Sequence, residues 1–184
     1  MRGADGDPHQ VRLEEARVVD LGTRSQTPMA VAPATLDVPP NRDLFVPFEV
    51  PVVDLDPGWY AIECAIAIDG SPTTVRPGER FSVPWPRGST RREQVEVGAS
   101  VQAAGGTVRV DRVECASDSV RVVYEGVEVA ATVSADGAKL PVVEAMFDAE
   151  TGTGALVAYP VLKSQRRLEV TFKGAPGPVE IALP

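Results

Sequence analysis

Histidine and cysteine are scarce in this chain, and their scarcity argues against several kinds of catalytic site. The single histidine, His9, lies in a polar N-terminal stretch, and the two cysteines, Cys64 and Cys115, are far apart in the sequence. A Ser-His-Asp or Cys-His arrangement would have to use that one histidine. Zinc, copper and non-haem iron sites draw on several histidine or cysteine ligands. We therefore predict no catalytic residue, no metal site and no cofactor.

Nucleotide-binding motifs and membrane-length apolar runs are also missing. The sequence has no P-loop and no glycine-rich turn between a strand and a helix, the context that dinucleotide binding needs. Its longest apolar runs have the length of a strand, well short of the roughly 20 residues of a membrane-spanning helix. The first residues, MRGADGDPHQ, lack the apolar stretch of a signal peptide. These absences predict a cytoplasmic protein without membrane contact.

Positive charge is in short supply. The chain has 18 basic and 26 acidic residues, a formal net charge of −8. Such a balance repels polyanions, so we do not expect nucleic acid as a partner. Acids stand at alternate positions in Asp54-Leu55-Asp56 and Asp148-Ala149-Glu150, a pattern that Ca²⁺ sites share. The denser acid spacing of an EF-hand loop is missing, which favours solvated loops over calcium sites.

Alternation of apolar and polar residues is what the sequence has in abundance. Trp59–Asp69 alternates strictly, as a half-buried strand does. Leu44–Val53 also alternates, with Pro47 and Pro51 on its opposite parity. Proline cannot donate to a sheet, so this segment is predicted to be an edge strand, joined to Trp59–Asp69 by a turn at Asp56–Gly58.

The second half of the chain repeats this alternation in short segments with glycine or aspartate between them. The pair Gly105-Gly106 predicts a two-residue hairpin turn after Val95–Val101. The further predicted strands are Thr107–Cys115, Ser119–Tyr124, Val127–Val133, Leu140–Phe147, Ala155–Val161, Arg166–Phe172 and Val179–Leu183. No segment has a sustained helical period. The sequence predicts an all-β protein made of two antiparallel β-sandwich (immunoglobulin-like) domains in tandem.

The predicted organisation is a flexible N-terminus at 1–8, a first domain at 9–84, a linker at 85–93 and a second domain at 94–184. In the first domain, the apolar parity of Gln10–Asp20 slips near Glu14-Glu15, as at a β-bulge. Thr27–Val38 contains prolines and is either an edge strand or an extended loop. One cysteine falls in each domain on an apolar parity, which favours two core thiols over a disulfide.

The segment Phe81–Glu93 combines aromatic and basic residues that are uncommon elsewhere in the chain. Trp85 stands between two prolines, and Arg87, Arg91 and Arg92 follow it. Tryptophan and arginine dominate the binding energy of many protein interfaces. These four residues are our candidate partner-binding site. The alternative is a plain linker in which Trp85 packs on one domain and the arginines pair with local acids.

The functional prediction is a non-enzymatic module that binds an unidentified protein partner. One alternative is a structural subunit that assembles into a homo-oligomer. A second is a carboxylate-dependent enzyme or a carbohydrate-binding module, because paired acids alone can hydrolyse glycosides. Few aromatic residues are available for stacking on sugars.

Overall fold

The computed structural model describes residues 8–30, 34–39, 55–75 and 80–184. Within these ranges the chain forms fifteen β-strands and no helix, and all strand pairs are antiparallel. The prediction of an all-β protein is therefore confirmed. No helix in the described part is long and apolar enough to cross a membrane. The predicted edge strand Leu44–Val53 lies outside the described residues.

The chain divides into two compact units: Met1–Asp56 with Tyr60–Val83, and Pro57–Trp59 with Pro84–Pro184. The described part of the first unit holds one six-stranded sheet, in the order β2-β1-β4-β5, in which β3 also pairs with β1 and β6 with β4. Its strands are β1 (His9–Asp20), β2 (Gln26–Met29), β3 (Ala34–Val38), β4 (Gly58–Ile68), β5 (Ser71–Val75) and β6 (Arg80–Val83). The first two residues of β4, Gly58 and Trp59, belong to the second unit.

Strands β1 and β4 build the centre of this sheet as the sequence predicts. The register between them shifts between Leu13 and Glu15, which confirms the predicted bulge. The bulge keeps apolar side chains of both halves of β1 on one face of the sheet. The buried residues of that core are Val11, Leu13, Ala16, Val38, Cys64 and Ile66. On the opposite face, Arg17 pairs with the buried carboxylate of Glu63 at 3.0 Å.

The second unit contains two sheets, in the orders β11-β10-β14-β15 and β12-β13-β9-β8-β7. Both sheets contribute buried residues to one core, among them Val110 and Tyr124 from one sheet and Phe172 from the other. The strands are β7 (Glu93–Ala103), β8 (Gly106–Cys115), β9 (Val120–Glu125), β10 (Ala131–Ala135), β11 (Ala138–Leu140), β12 (Val142–Asp148), β13 (Thr153–Ala158), β14 (Arg167–Phe172) and β15 (Val179–Ala182).

Three local predictions in this unit are wrong. Val127–Val133 is not one strand, because residues 127–130 belong to no strand and β10 begins only at Ala131. Leu140–Phe147 is not one strand, because Pro141 interrupts it and sends β11 and β12 into different sheets; proline has no N–H with which to continue a ladder. The hairpin turn lies one residue earlier than predicted, at Ala104-Gly105, since Gly106 already pairs with Ala103.

Both cysteines are free and buried, which confirms the prediction of core thiols. Cys64 belongs to the core of the first unit and Cys115 to that of the second. Burial, with a smaller contribution from Glu93, raises the pKa of the Cys115 thiol to about 11. This thiol is therefore protonated and unreactive at neutral pH.

Candidate functional site

The segment that follows β6 is held against the second unit by backbone pairing. Thr90 forms an antiparallel bridge with Leu162. The N–H of Arg91 donates to the Val161 carbonyl at 2.9 Å, and the N–H of Lys163 donates to the Ser89 carbonyl at 2.9 Å. Residues 89–91 and 161–163 therefore lie side by side, although about 70 residues separate them in the sequence.

A tight turn at Pro86–Ser89 presents Arg87. The Ser89 N–H donates to the Pro86 carbonyl at 3.0 Å, and the Ser89 hydroxyl donates to the same oxygen at 2.7 Å. Gly88 has φ 79°, the positive value that the third position of a type II turn requires and that glycine adopts without strain. Arg87 is thereby fixed at an exposed turn.

Arg91 points inward and connects three parts of the second unit. Its side chain is only 7% exposed. The guanidinium donates to the Gln165 carbonyl at 2.9 Å, to Glu93 at 2.8 Å, to the Lys163 carbonyl at 3.5 Å, and to the Pro184 carbonyl. With all these acceptors inside the unit, Arg91 positions the neighbouring chain segments, and its guanidinium is not presented to a partner.

Both tryptophans of the chain contact Tyr159 in the same unit, Trp85 through its ring and Trp59 through its backbone. Trp85 is partly buried and meets Tyr159 edge to face, with ring centroids 5.3 Å apart. The Trp59 indole N–H donates to the Asp118 carbonyl at 2.7 Å, and its backbone N–H donates to the Tyr159 hydroxyl at 3.4 Å. Edge-to-face packing holds Trp85 in a defined orientation beside the turn that carries Arg87.

Four exposed cations surround this backbone pairing, and we call them the basic end surface: Arg87, Arg92, Lys163 and Arg166. In the part of the chain that the structure describes, none of their side chains forms a hydrogen bond or an ion pair. Of the two acids beside them, Glu93 has an ion-pair partner elsewhere, and Asp136 is held by backbone donors but keeps its charge. Glu93 pairs with Arg91, and Asp136 accepts the backbone N–H groups of Arg166 and Arg167.

Most other arginines of the second unit are paired, which sets this surface apart. Arg109 lies 3.4 Å from Glu125, and Arg112 lies 2.7 Å from Glu114. Arg121 also approaches Glu114, at 3.8 Å. Unpaired cations thus concentrate at the basic end surface of a chain whose net charge is −8.

The structure separates the four residues of the predicted partner-binding site into two groups. Trp85, Arg87 and Arg92 lie on or beside the basic end surface, whereas Arg91 lies beneath it. The alternation of positions in the sequence distinguishes Arg91 from Arg92. Arg91 has the parity of the partly buried Glu93, Val95 and Val97 of β7, whereas Arg92 has the parity of exposed positions. The sequence does not indicate that Lys163 and Arg166 belong to the same surface, because only the fold brings their loop next to residues 89–91.

The other residues considered as metal ligands or catalytic groups make contacts that stabilise turns and strands. Among the described residues there is no group of three or more His, Cys, Asp or Glu that could hold a metal ion. Asp148 accepts hydrogen bonds from the Glu150 N–H at 2.9 Å and the Thr151 hydroxyl at 3.0 Å, which lower its pKa and close a turn. His9 contacts Asp69 at 2.6 Å.

Comparisons with known proteins return no relative: no family model, no curated protein and no solved structure matches this chain.

Proposed function

We propose that this chain is a non-enzymatic binding module, built from two immunoglobulin-like β-sandwiches in tandem, whose second unit binds an acidic protein partner at the basic end surface. The observation that carries the proposal is the group of four unpaired cations on two chain segments that Arg91 holds together. Exposed charges of this kind attract a surface of opposite sign, which speeds association and favours the correct partner. Trp85, at the margin, supplies the apolar contact that interface hot spots combine with arginine.

A preorganised surface supports binding at low entropic cost. The backbone bridge at Thr90 and the guanidinium of Arg91 fix both segments before any partner arrives. Association then orders only the four side chains, at about 0.5–1.5 kcal/mol each. We also propose the cytoplasm as the location, since the two free thiols suit a reducing compartment.

The test is a binding titration of the full chain with a fluorescently labelled glutamate peptide. The double variant Arg87→Gln/Arg92→Gln is expected to weaken binding about 10-fold or more, because each lost charge contact contributes on the order of 1 kcal/mol. The matched control is Arg109→Gln/Arg121→Gln, which removes the same charge from arginines that are already paired.

Equal affinity of the two double variants would overturn the proposal, since binding would then follow net charge alone. A third titration uses a DNA oligonucleotide of the same charge as the peptide. If the oligonucleotide bound as tightly as the peptide, the surface would be a general polyanion site and the assignment to a protein partner would be wrong.

A further inference from the structure

The two ends of the second unit carry opposite charge. Strand β13 begins at Thr153, beside Asp148 and Glu125, and ends at Ala158, beside Val120. The chain continues from that second end into the loop of the basic end surface. The opposite end, which we call the acidic end, carries the exposed acids Glu128, Asp148 and Glu150.

Hydrogen bonds connect the loops of the acidic end. The Gly126 N–H donates to the Gly152 carbonyl at 2.8 Å, which ties the loop after β9 to the loop before β13. Glu125 is neutralised by Arg109, and the three acids outnumber Lys173, the cation of the neighbouring turn. The acidic end therefore keeps a net negative charge.

These two surfaces are too far apart to neutralise each other within one molecule. Strand β13 has six residues, which span about 20 Å at roughly 3.3 Å per residue. The Debye length is about 8 Å at about 0.15 M salt, so the attraction across the unit is screened. Only a second molecule can bring an acidic end into contact with the basic end surface.

The edges of the five-stranded sheet of the second unit are less suited to self-association than the ends. The edge strand β7 has a register shift between Glu96 and Ala99, and the edge strand β12 has one between Val142 and Glu144. Bulges of this kind protect an edge from pairing with another chain. The charged ends have no comparable protection.

We propose that the partner of the basic end surface is a second copy of this chain, which docks with its acidic end. The inference rests on the proposed function, since it requires the four cations to bind acidic protein groups. The contact joins two different surfaces and is therefore heterologous, so repeated docking extends into open, head-to-tail chains.

The test is a reciprocal charge exchange followed by light scattering. One variant, Arg87→Glu/Arg92→Glu, cancels the positive charge of the basic end surface. The other variant, Glu128→Lys/Glu150→Lys, makes the acidic end basic. All four positions are exposed, and an unchanged thermal midpoint verifies that each variant folds. We expect the native chain to associate with increasing concentration at about 0.01 M salt and to dissociate at about 1 M, where the Debye length is about 3 Å.

Each variant alone is expected to stay monomeric, because neither variant then has two ends of opposite sign. Mixing the two variants is expected to restore association. A native chain that remains monomeric at low salt, or a mixture that does not associate, overturns the inference. If the native chain stays monomeric but binds the glutamate peptide, the inference fails and the proposed function stands. If the native chain neither associates nor binds the peptide, the proposed function is refuted as well.

Discussion

Replacement of Arg91 by methionine is expected to destabilise the second unit strongly. The substitution keeps an unbranched side-chain stem but removes every donor of the guanidinium. The carbonyls of Gln165, Lys163 and Pro184 lose a charged donor, and Glu93 loses its ion-pair partner. Removing one member of a buried charged pair costs about 3–5 kcal/mol, and the several acceptors left without a donor place Arg91 in this range.

A loss of that size is a large part of the roughly 5–15 kcal/mol that stabilises a typical domain. The assay is urea unfolding of the full chain followed by tryptophan fluorescence, because Trp59 and Trp85 both belong to the second unit. Arg91→Lys keeps the charge but not the planar arrangement of donors, so it is expected to recover only part of the lost free energy of unfolding.

The matched control is Arg92→Met, at the adjacent exposed position. Its side chain has no partner in the described structure, so its free energy of unfolding is expected to change by no more than about 0.5 kcal/mol. If the Arg91 and Arg92 variants unfold at the same urea concentration, Arg91 does not hold these segments together, and the reasoning about the basic end surface fails with it.

Two further predictions concern the core of the second unit. Gly154→Ala is expected to lower the free energy of unfolding of this unit by about 1–3 kcal/mol, because the new Cβ would lie 2.1 Å from the Tyr124 ring. The control is Gly177→Ala, whose new Cβ meets nothing within 4 Å. Equal urea midpoints for the two variants would contradict the packing described. The raised pKa of Cys115 favours the protonated thiol in the folded state, so this contribution to stability is expected to be lost as the pH rises from 9.0 to about 11. The Cys115→Ala variant should lack that pH dependence in urea unfolding, and an identical pH profile for both proteins would refute the assignment.

Local patterns predicted the strands well because each depends on residues close in sequence. The parity slip at Glu14-Glu15 located the bulge of β1, and strict alternation located β4. Pro141 is the sequence signal that divides β11 from β12, although apolar residues continue on both sides of it. Strand order and the shared core of two sheets depend on contacts between distant segments, and the alternation carries no information about these.

The candidate site could be predicted only in part from the sequence, because it also depends on contacts between distant segments. Trp85, Arg87 and Arg92 stand in one short segment and share an unusual composition. Lys163 and Arg166 join them through the bridge between Thr90 and Leu162, a long-range contact. The inward direction of Arg91 is set by acceptors on the loop at 163–165 and at Pro184, none of which is near it in sequence.

Hydrogen exchange on the full chain, with and without the glutamate peptide, tests the central claim most directly. The basic end surface predicts slower amide exchange in two separate segments, 84–92 and 162–166, when the peptide is present. Exchange in the first unit should stay unchanged. Protection at other segments, or protection at 84–92 without any at 162–166, would contradict a composite site built from both.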